Sequence, residues 1–192
     1  LGYRGLYIFD DMFAMNMNRT KPICNEMQKR GIVYRCNGQA NFFTKNEDFA
    51  KMLSETGCKE IAFGHESGSQ KILDFISKDI TTQQIKQAVQ NCVKAGIMPQ
   101  ISFMCGFPTE TKKDTLETLD LYDEIINLDK EHIEVNSLFI FSPYPGTELY
   151  DLAIKYGYKP PKTLEEWSEW QFNHLKNINW FKKSYRKYLH TM

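Results

Sequence analysis

Short apolar segments alternate with amphipathic ones five times in succession, and this pattern limits the chain to few folds. Leu6 to Phe9 reads as a buried first strand. Thr20 and Pro22 predict a helix start, Ile23 and Met27 its apolar stripe, and Gly31 its stop. Ile32 to Cys36 predicts the second strand. A helix capped by Asn46 should follow, burying Phe49, Met52 and Leu53 and ending at Gly57. Glu60 to Gly64 predicts the third strand, with a short helix around Ile72, Leu73 and Ile76 after it. Thr81 and Gln84 have capping-box spacing, and Ile85, Ala88, Val89, Cys92 and Val93 recur at helical intervals up to Gly96. Gln100 to Met104 predicts the fourth strand. Thr111 and Asp114 open a helix carrying Leu116, Leu119, Tyr122, Ile125 and Ile126, and Glu134 to Phe141 predicts the fifth strand. Five such units imply a parallel sheet with right-handed crossovers, either open or curled into part of a barrel.

Composition narrows the function classes. The 192 residues carry 24 basic and 24 acidic side chains, so the formal net charge is zero. That removes the broad basic field of a nucleic-acid binder. The 42% hydrophobic content is too high for a disordered tail. No apolar run approaches the roughly 18 residues a membrane span needs, so a cytoplasmic location is expected. The first residue is Leu1 rather than Met, and a strand follows at once, which raises the expectation of an upstream portion.

The five cysteines, Cys24, Cys36, Cys58, Cys92 and Cys105, show no CxxC or zinc-type spacing and read as buried reduced thiols. Beyond Pro160-Pro161 the character changes. Trp167, Trp170, Phe172, Trp180, Phe181, Tyr185 and Tyr188 interleave with lysines and Arg186, which predicts a helical appendage whose aromatics pack on the sheet domain rather than stack on bases. The expected division is residues 1–158 as the barrel portion and 159–192 as the tail.

In parallel α/β folds, ligands bind at the carboxyl ends of the strands. There the sequence offers Asp10 and Asp11, then Asn37, Gly38 and Gln39, then His65-Glu66-Ser67-Gly68-Ser69. Gly106-Phe107-Pro108-Thr109-Glu110 and Ser142-Pro143-Tyr144-Pro145-Gly146 complete the set. Three site readings are open on these residues. Asp10, Asp11, His65 and Glu66 have the side chains of a hard-metal or zinc site, although adjacent aspartates on a strand end point apart. Gly64, Gly68 and Gly106 could cradle a phosphate, without any glycine-rich fingerprint to support it. A nucleoside-like cofactor would use glycine backbone for its flat base and Glu66, Ser67 and Asn37 for its polar groups. Against these stand plainer roles: Asp10 and Asp11 as caps, Lys78 and His132 as solvated residues, His65 as a satisfied polar residue in a loop.

Two segments together resemble the radical S-adenosylmethionine enzymes. They are Gly64-His65-Glu66-Ser67-Gly68-Ser69-Gln70, with Leu73, Ile76 and Lys78 behind it, and Phe103-Met104-Cys105-Gly106-Phe107-Pro108-Thr109-Glu110-Thr111. The Asp10-Asp11-x-Phe13 strand end and Phe141-Ser142-Pro143-Tyr144-Pro145-Gly146-Thr147 are similar to the branch often fused to a cobalamin-binding domain. The resemblance implies a partial (β/α)6 TIM-like barrel with parallel strands, lacking the first βα unit, plus the C-terminal helical appendage. It implies S-adenosylmethionine across the strand ends: Glu66 and Asn37 on its ribose or methionine part, Lys78 on its carboxylate, Ser102 on its ribose. The Gly106-Phe107-Pro108 turn and Phe141 would flank the adenine. Asp10 and Asp11 stand where relatives bind the methionine amine, and Gln39 and Ser67 join the same cofactor-binding set. No metal ligand or catalytic residue is assigned within this chain.

The family's [4Fe–4S] cluster is held by a CxxxCxxC run that this chain lacks, so its ligands are expected upstream. Intact, such an enzyme forms a 5′-deoxyadenosyl radical, drawing its electron from a donor such as flavodoxin or ferredoxin and acting on a small-molecule substrate. Cobalamin in an upstream domain, with methyl transfer or ring formation as the outcome, is compatible with the branch. The chain alone is expected to be inactive. A cluster-free binding or scaffold module, and a metal-dependent hydrolase on the same edge, are the competing readings. The coding sequence before Leu6 should therefore contain CxxxCxxC about 25 to 50 residues upstream, the span of one βα unit; sequencing that region checks it.

Overall fold

The computed structural model describes residues 2–45 and 47–190. Its five strands are β1 (Gly5–Tyr7), β2 (Val33–Asn37), β3 (Cys58–Glu66), β4 (Met98–Cys105) and β5 (Glu134–Ile140). All neighbours pair in parallel, in the order β1-β2-β3-β4-β5. The sheet therefore has two free edges and is an open, partial barrel. The crossovers carry α1 (Met17–Lys29), α2 (Ala40–Lys45), α3 (Glu47–Glu55), α4 (Gln70–Phe75), α5 (Thr82–Lys94) and α6 (Lys112–Ile126). After β5 come α7 (Glu148–Lys155), α8 (Leu164–Ser168), a 3-10 turn at Leu175–Ile178 and α9 (Lys183–His190).

The period-two alternation of the central strands decides which side chains go where. Ile61, Phe63 and His65 of β3, and Ile101, Phe103 and Cys105 of β4, are buried under the helices. Ala62, Gly64, Gln100 and Ser102 consequently turn to the other side of the sheet. One core forms around Phe43, Phe49, Phe63 and Tyr34 beneath α1 to α3. A second holds Ile85, Val89, Ile101 and Ile125 between β3–β4 and α5–α6. A third joins Cys105, Phe107 and Phe141 to Ile178 and Leu189 of the C-terminal segment, so the tail shares a core with β4 and β5. Among the described residues no helix is long and apolar enough to cross a membrane.

The structure corrects several sequence expectations. The first strand is not buried: Leu6 is 45% and Phe9 76% exposed, because β1 is an edge strand with one neighbour. Helix α1 begins four residues before Thr20 would cap it. Asn16 is the cap, accepting from the Arg19 N–H at 3.2 Å, while buried Thr20 donates to the Phe13 carbonyl at 2.7 Å. Pro22 thus lies inside the helix, where it removes one backbone donor. Helix α2 was not anticipated, since six residues give too little periodicity to read. Strand β3 runs on to Glu66 through a register shift between Gly64 and Glu66, which makes His65 and Glu66 strand rather than loop. Asn46, the expected cap, lies outside the described residues.

The segment after β3 is fastened to α6. Ser67 exchanges a hydrogen bond with Thr118 at 3.1 Å, and the Gly68 N–H donates to the Thr118 hydroxyl at 2.9 Å. Ser69 donates to Asp114 at 2.8 Å, and Lys71 reaches the same carboxylate at 2.8 Å. Burial alone would raise Asp114, yet the hydrogen bonds from Lys71, Thr111 and Ser69 bring its carboxyl down to about 2. Gly68 has no room for a side chain: a Cβ there would lie 2.4 Å from the Glu117 carbonyl and 2.6 Å from Thr118 Cα. Gly68→Ala should therefore push α6 away and cost about 1–3 kcal/mol of stability, measurable by urea denaturation against the parent chain.

Candidate functional site

With the helix side committed to the core, the polar residues of the opposite face converge at the carboxyl ends of β2, β3 and β4. They line a cleft of about 310 Å3 formed by Asp11, Asn37, Gln39, Gly64, Lys78 and Ser102, with Met12, Ala62, Gln100 and Asn136 also on its lining. Five of the expected site residues, Asp11, Asn37, Gln39, Lys78 and Ser102, are thus brought together. Lys78 carries an ion pair to Glu66, which is not itself among the lining residues. Glu66 folds back over Gly64, and Lys78 Nζ donates to its Oε1 at 2.8 Å. A Cβ on Gly64 would lie 2.6 Å from that carboxylate oxygen and 3.5 Å from Lys78 Nζ, so the glycine makes the space the pair occupies.

Backbone strain gathers at the same place. Four non-glycine residues among those described have left-handed φ, and three of them surround the pair: Glu66 at 64°, Ser77 at 53° and Asp79 at 51°. Such conformations cost of order 1–3 kcal/mol each and persist where the surroundings impose them. Lys78 is held between two of these residues, with its own N–H on the Leu73 carbonyl at 3.0 Å. It is a half-buried residue of the cleft and not a freely solvated one.

Other candidates are placed elsewhere. Asp10 turns outward to an ion pair with Arg19, whose hydrogen bond holds its carboxyl below the usual range. Ser67 is fully buried in the bond to Thr118, so it fixes the loop and does not reach the cleft. His65 points the opposite way from Glu66. Its ring stacks on Phe63 at 5.3 Å, neither nitrogen has a hydrogen-bond partner, and burial carries it down to about 3. The sequence expectation of a satisfied loop histidine is thereby corrected. Because Asp10 and His65 both face away, the four residues of the metal reading do not converge, and among the described residues no group of three or more His, Cys, Asp and Glu could hold a metal ion.

Phe107 and Phe141 pack on each other at 5.1 Å, and Phe141 on Trp180 at 6.2 Å. Both rings are buried in the core shared with the tail, and Gly106 and Pro108 are buried with them. The Gly106-Phe107-Pro108 turn is not among the residues that line the cleft. Its conformation rests on Glu110, which the sequence reading did not select. One Glu110 oxygen accepts from the N–H groups of Gly106 and Phe107, the latter at 3.0 Å, and the other from Thr115 at 2.9 Å. Burial pushes Glu110 up to about 7, against the pull of those three hydrogen bonds. Ala62 and Gln100 were also missed, though each sits two residues before a named site residue on the same strand face. Asn136 carried no such signal, because β5 changes register beside it.

A parallel α/β partial barrel with a polar cleft at its strand ends is a cofactor-binding architecture. The sequence profile described as the radical SAM superfamily matches residues 5–122, and the chain belongs to that superfamily. An uncharacterized methyltransferase of Pyrococcus horikoshii is 34% identical over 153 residues, which cover 80% of this chain and 32% of the relative. Among solved structures, the radical S-adenosylmethionine methyltransferase TsrM of Kitasatospora setae, with tryptophan and a SAM analogue bound, superposes with a TM-score of 0.66 at 17% identity. That match covers 81% of this chain and 31% of TsrM. The cobalamin-dependent S-adenosylmethionine radical enzyme OxsB gives a TM-score of 0.63 at 17% identity, covering 80% and 28%. The chain spans about a third or less of the length of the curated relatives it matches.

The raised Glu110 carboxyl has a measurable consequence. The folded chain binds this proton up to about pH 7, whereas the unfolded chain releases it near 4.5, so folding stability falls as pH rises across that window. Glu110→Gln cannot ionise. Its stability relative to the parent should increase as pH is raised from 4.5 to 7, measured by denaturant midpoints at a series of pH values.

Proposed function

We propose that this chain is an S-adenosylmethionine-binding portion of a radical SAM enzyme, of the methyl-transferring kind that uses cobalamin. The observation that carries the reading is the Glu66–Lys78 pair held over Gly64 at the mouth of the cleft. The methionine end of S-adenosylmethionine is a zwitterion, with an ammonium and a carboxylate close together. A carboxylate and an ammonium 2.8 Å apart present the complementary pattern. Lys78 would take the ligand carboxylate, and Glu66 with Asn37 the methionine or ribose part. Ser102, on the cleft face of β4, would meet the ribose. Asp11 and Gln39 would close the rim over the ligand.

The bound cofactor would supply the sulfonium whose reductive cleavage starts the chemistry. The protein's part at this edge is orientation: fixed charges on a strained, rigid backbone lose little freedom on binding. The cysteines do not fit a [4Fe–4S] cluster. All five are buried in the core, where burial pushes the thiols of Cys24, Cys92 and Cys105 up, and a hydrogen bond to Cys36 with burial does the same for Cys58. Cluster ligation, and cobalamin if used, are therefore proposed to come from other parts of the enzyme, along with reduction by a flavodoxin- or ferredoxin-type donor. The names of the Pyrococcus relative and of TsrM support methyl transfer as the outcome, and the tryptophan substrate of TsrM supports a small molecule as the acceptor.

The test is calorimetric binding of S-adenosylhomocysteine to the full protein. Lys78→Ala and Glu66→Gln should each weaken binding about tenfold or more, since a charge-assisted hydrogen bond contributes about 1.5–3 kcal/mol. Unchanged dissociation constants in both variants would sink the reading.

A further inference from the structure

We propose that the floor of the cleft is a substrate subsite for an organic ammonium group, which Gln100 meets with its side-chain carbonyl between the carboxylates of Glu60 and Glu134. That the occupant is the substrate rests on the cofactor reading given above; the choice of a cation does not. Asn37, Ala62 and Ser102 line the cleft, and two residues earlier on β2, β3 and β4 stand Arg35, Glu60 and Gln100. A spacing of two keeps side chains on one face of a strand, so these three form a second row beneath the first. Glu134 pairs in register with Gln100 and extends that row onto β5. Gln100 itself belongs to the cleft lining.

The orientation of this amide is fixed by its partners. Gln100 is 6% exposed, and its nitrogen donates to Glu60 Oε2 at 3.2 Å and to Glu134 Oε2 at 2.7 Å. A carboxylate only accepts, so both N–H groups must face the glutamates and the amide cannot turn round. Among the described residues no group donates to the remaining Oε1, yet that oxygen is not sealed from solvent. A buried carbonyl oxygen on a cavity wall, without a protein partner, is matched by a donor on a ligand. Charge selects the donor. Arg35 approaches Glu60 to 3.6 Å, its guanidinium lying 3.9 Å over the Tyr7 ring, whereas Glu134 has no basic partner among the described residues. On the lining itself, Lys78 is matched by Glu66, and Asp11 adds negative charge. The excess of negative charge favours an ammonium over a neutral donor and repels a carboxylate. A metal ion fits less well, since among the described residues no group of three or more His, Cys, Asp and Glu could hold one.

The experiment uses the full protein and saturation-transfer NMR titrations at neutral pH with n-butylammonium, n-butanol and n-butyrate, each with and without saturating S-adenosylhomocysteine. The parent should bind butylammonium about five- to tenfold more tightly than butanol, the margin of a charge-assisted over a neutral hydrogen bond, and butyrate most weakly. Saturating S-adenosylhomocysteine should leave that preference in place, because cofactor and substrate are held together. Glu134 is exposed, so Glu134→Gln removes the unmatched charge without disturbing the core. It should cut the preference to about twofold or less while butanol binds as in the parent. Gln100→Met keeps the chain length, removes the carbonyl and should act the same way; if it fails to fold, Glu134→Gln decides alone. Equal affinity for the three probes, or a preference that survives in every folded variant, overturns the subsite and leaves the cofactor reading standing. Displacement of butylammonium by S-adenosylhomocysteine overturns it too, since the floor then holds part of the cofactor. If S-adenosylhomocysteine affinity ignores Lys78→Ala and Glu66→Gln while the ammonium preference persists, the cofactor reading falls. The assignment to substrate then falls with it, and a cation site remains.

Discussion

Burial of one face of β3 and β4 is the constraint on which the rest of this structure depends. Phe63 and Phe103 are nearly solvent-free, and each large apolar side chain so buried stabilises the fold by roughly 1.5–3 kcal/mol. A slip of one residue in either strand would turn these rings to solvent and drive Gln100 and Ser102 into the core. The register that protects the core therefore also delivers Ala62, Gly64 and Ser102 to the cleft. Site and core are two sides of one alternation, and neither can shift without the other.

At the end of β3 that regularity is broken. The register shift places Glu66 opposite Phe103, and its left-handed backbone lets the carboxylate fold back over Gly64 toward Lys78. The bonds of Ser67, Gly68 and Ser69 to Thr118 and Asp114 hold the following loop against α6 and so help keep Glu66 in this conformation. Ser67 thus supports the site from beneath. Its residue type and its place beside Glu66 suggested a direct role, and only its burial shows otherwise.

Much of the candidate site was legible in the sequence because a parallel sheet gathers its strand ends at one edge. Asn37 and Gln39 could be named from their places after the second strand, Lys78 and Ser102 came from the family resemblance, and all five strands were placed within two residues at each end. The failures share a cause. Phe107 and Phe141 were expected beside a ligand, yet their rings serve the core under Trp180. His65 was read as loop because an apolar run seemed to end at Gly64. Thr20 looked like a cap because it precedes a proline, but Asn16 offers its oxygen to the first free N–H groups one turn earlier. In each case the residue type was read correctly and its direction was not.

The sequence by itself determined the parallel α/β class, the order of the units, the helix caps at Thr81 and Thr111, and the edge of the sheet where polar residues collect. These follow from local periodicity and hydrogen bonding between near neighbours. Only the tertiary structure decided that Glu66 pairs with Lys78 across a glycine, that Asp10 belongs to Arg19, and that the aromatic tail packs on Gly106 through Ile178 and reaches Thr115 through Tyr185. Such contacts join residues far apart in the chain or depend on the conformation of a single strained residue, and neither leaves a periodic mark in the sequence.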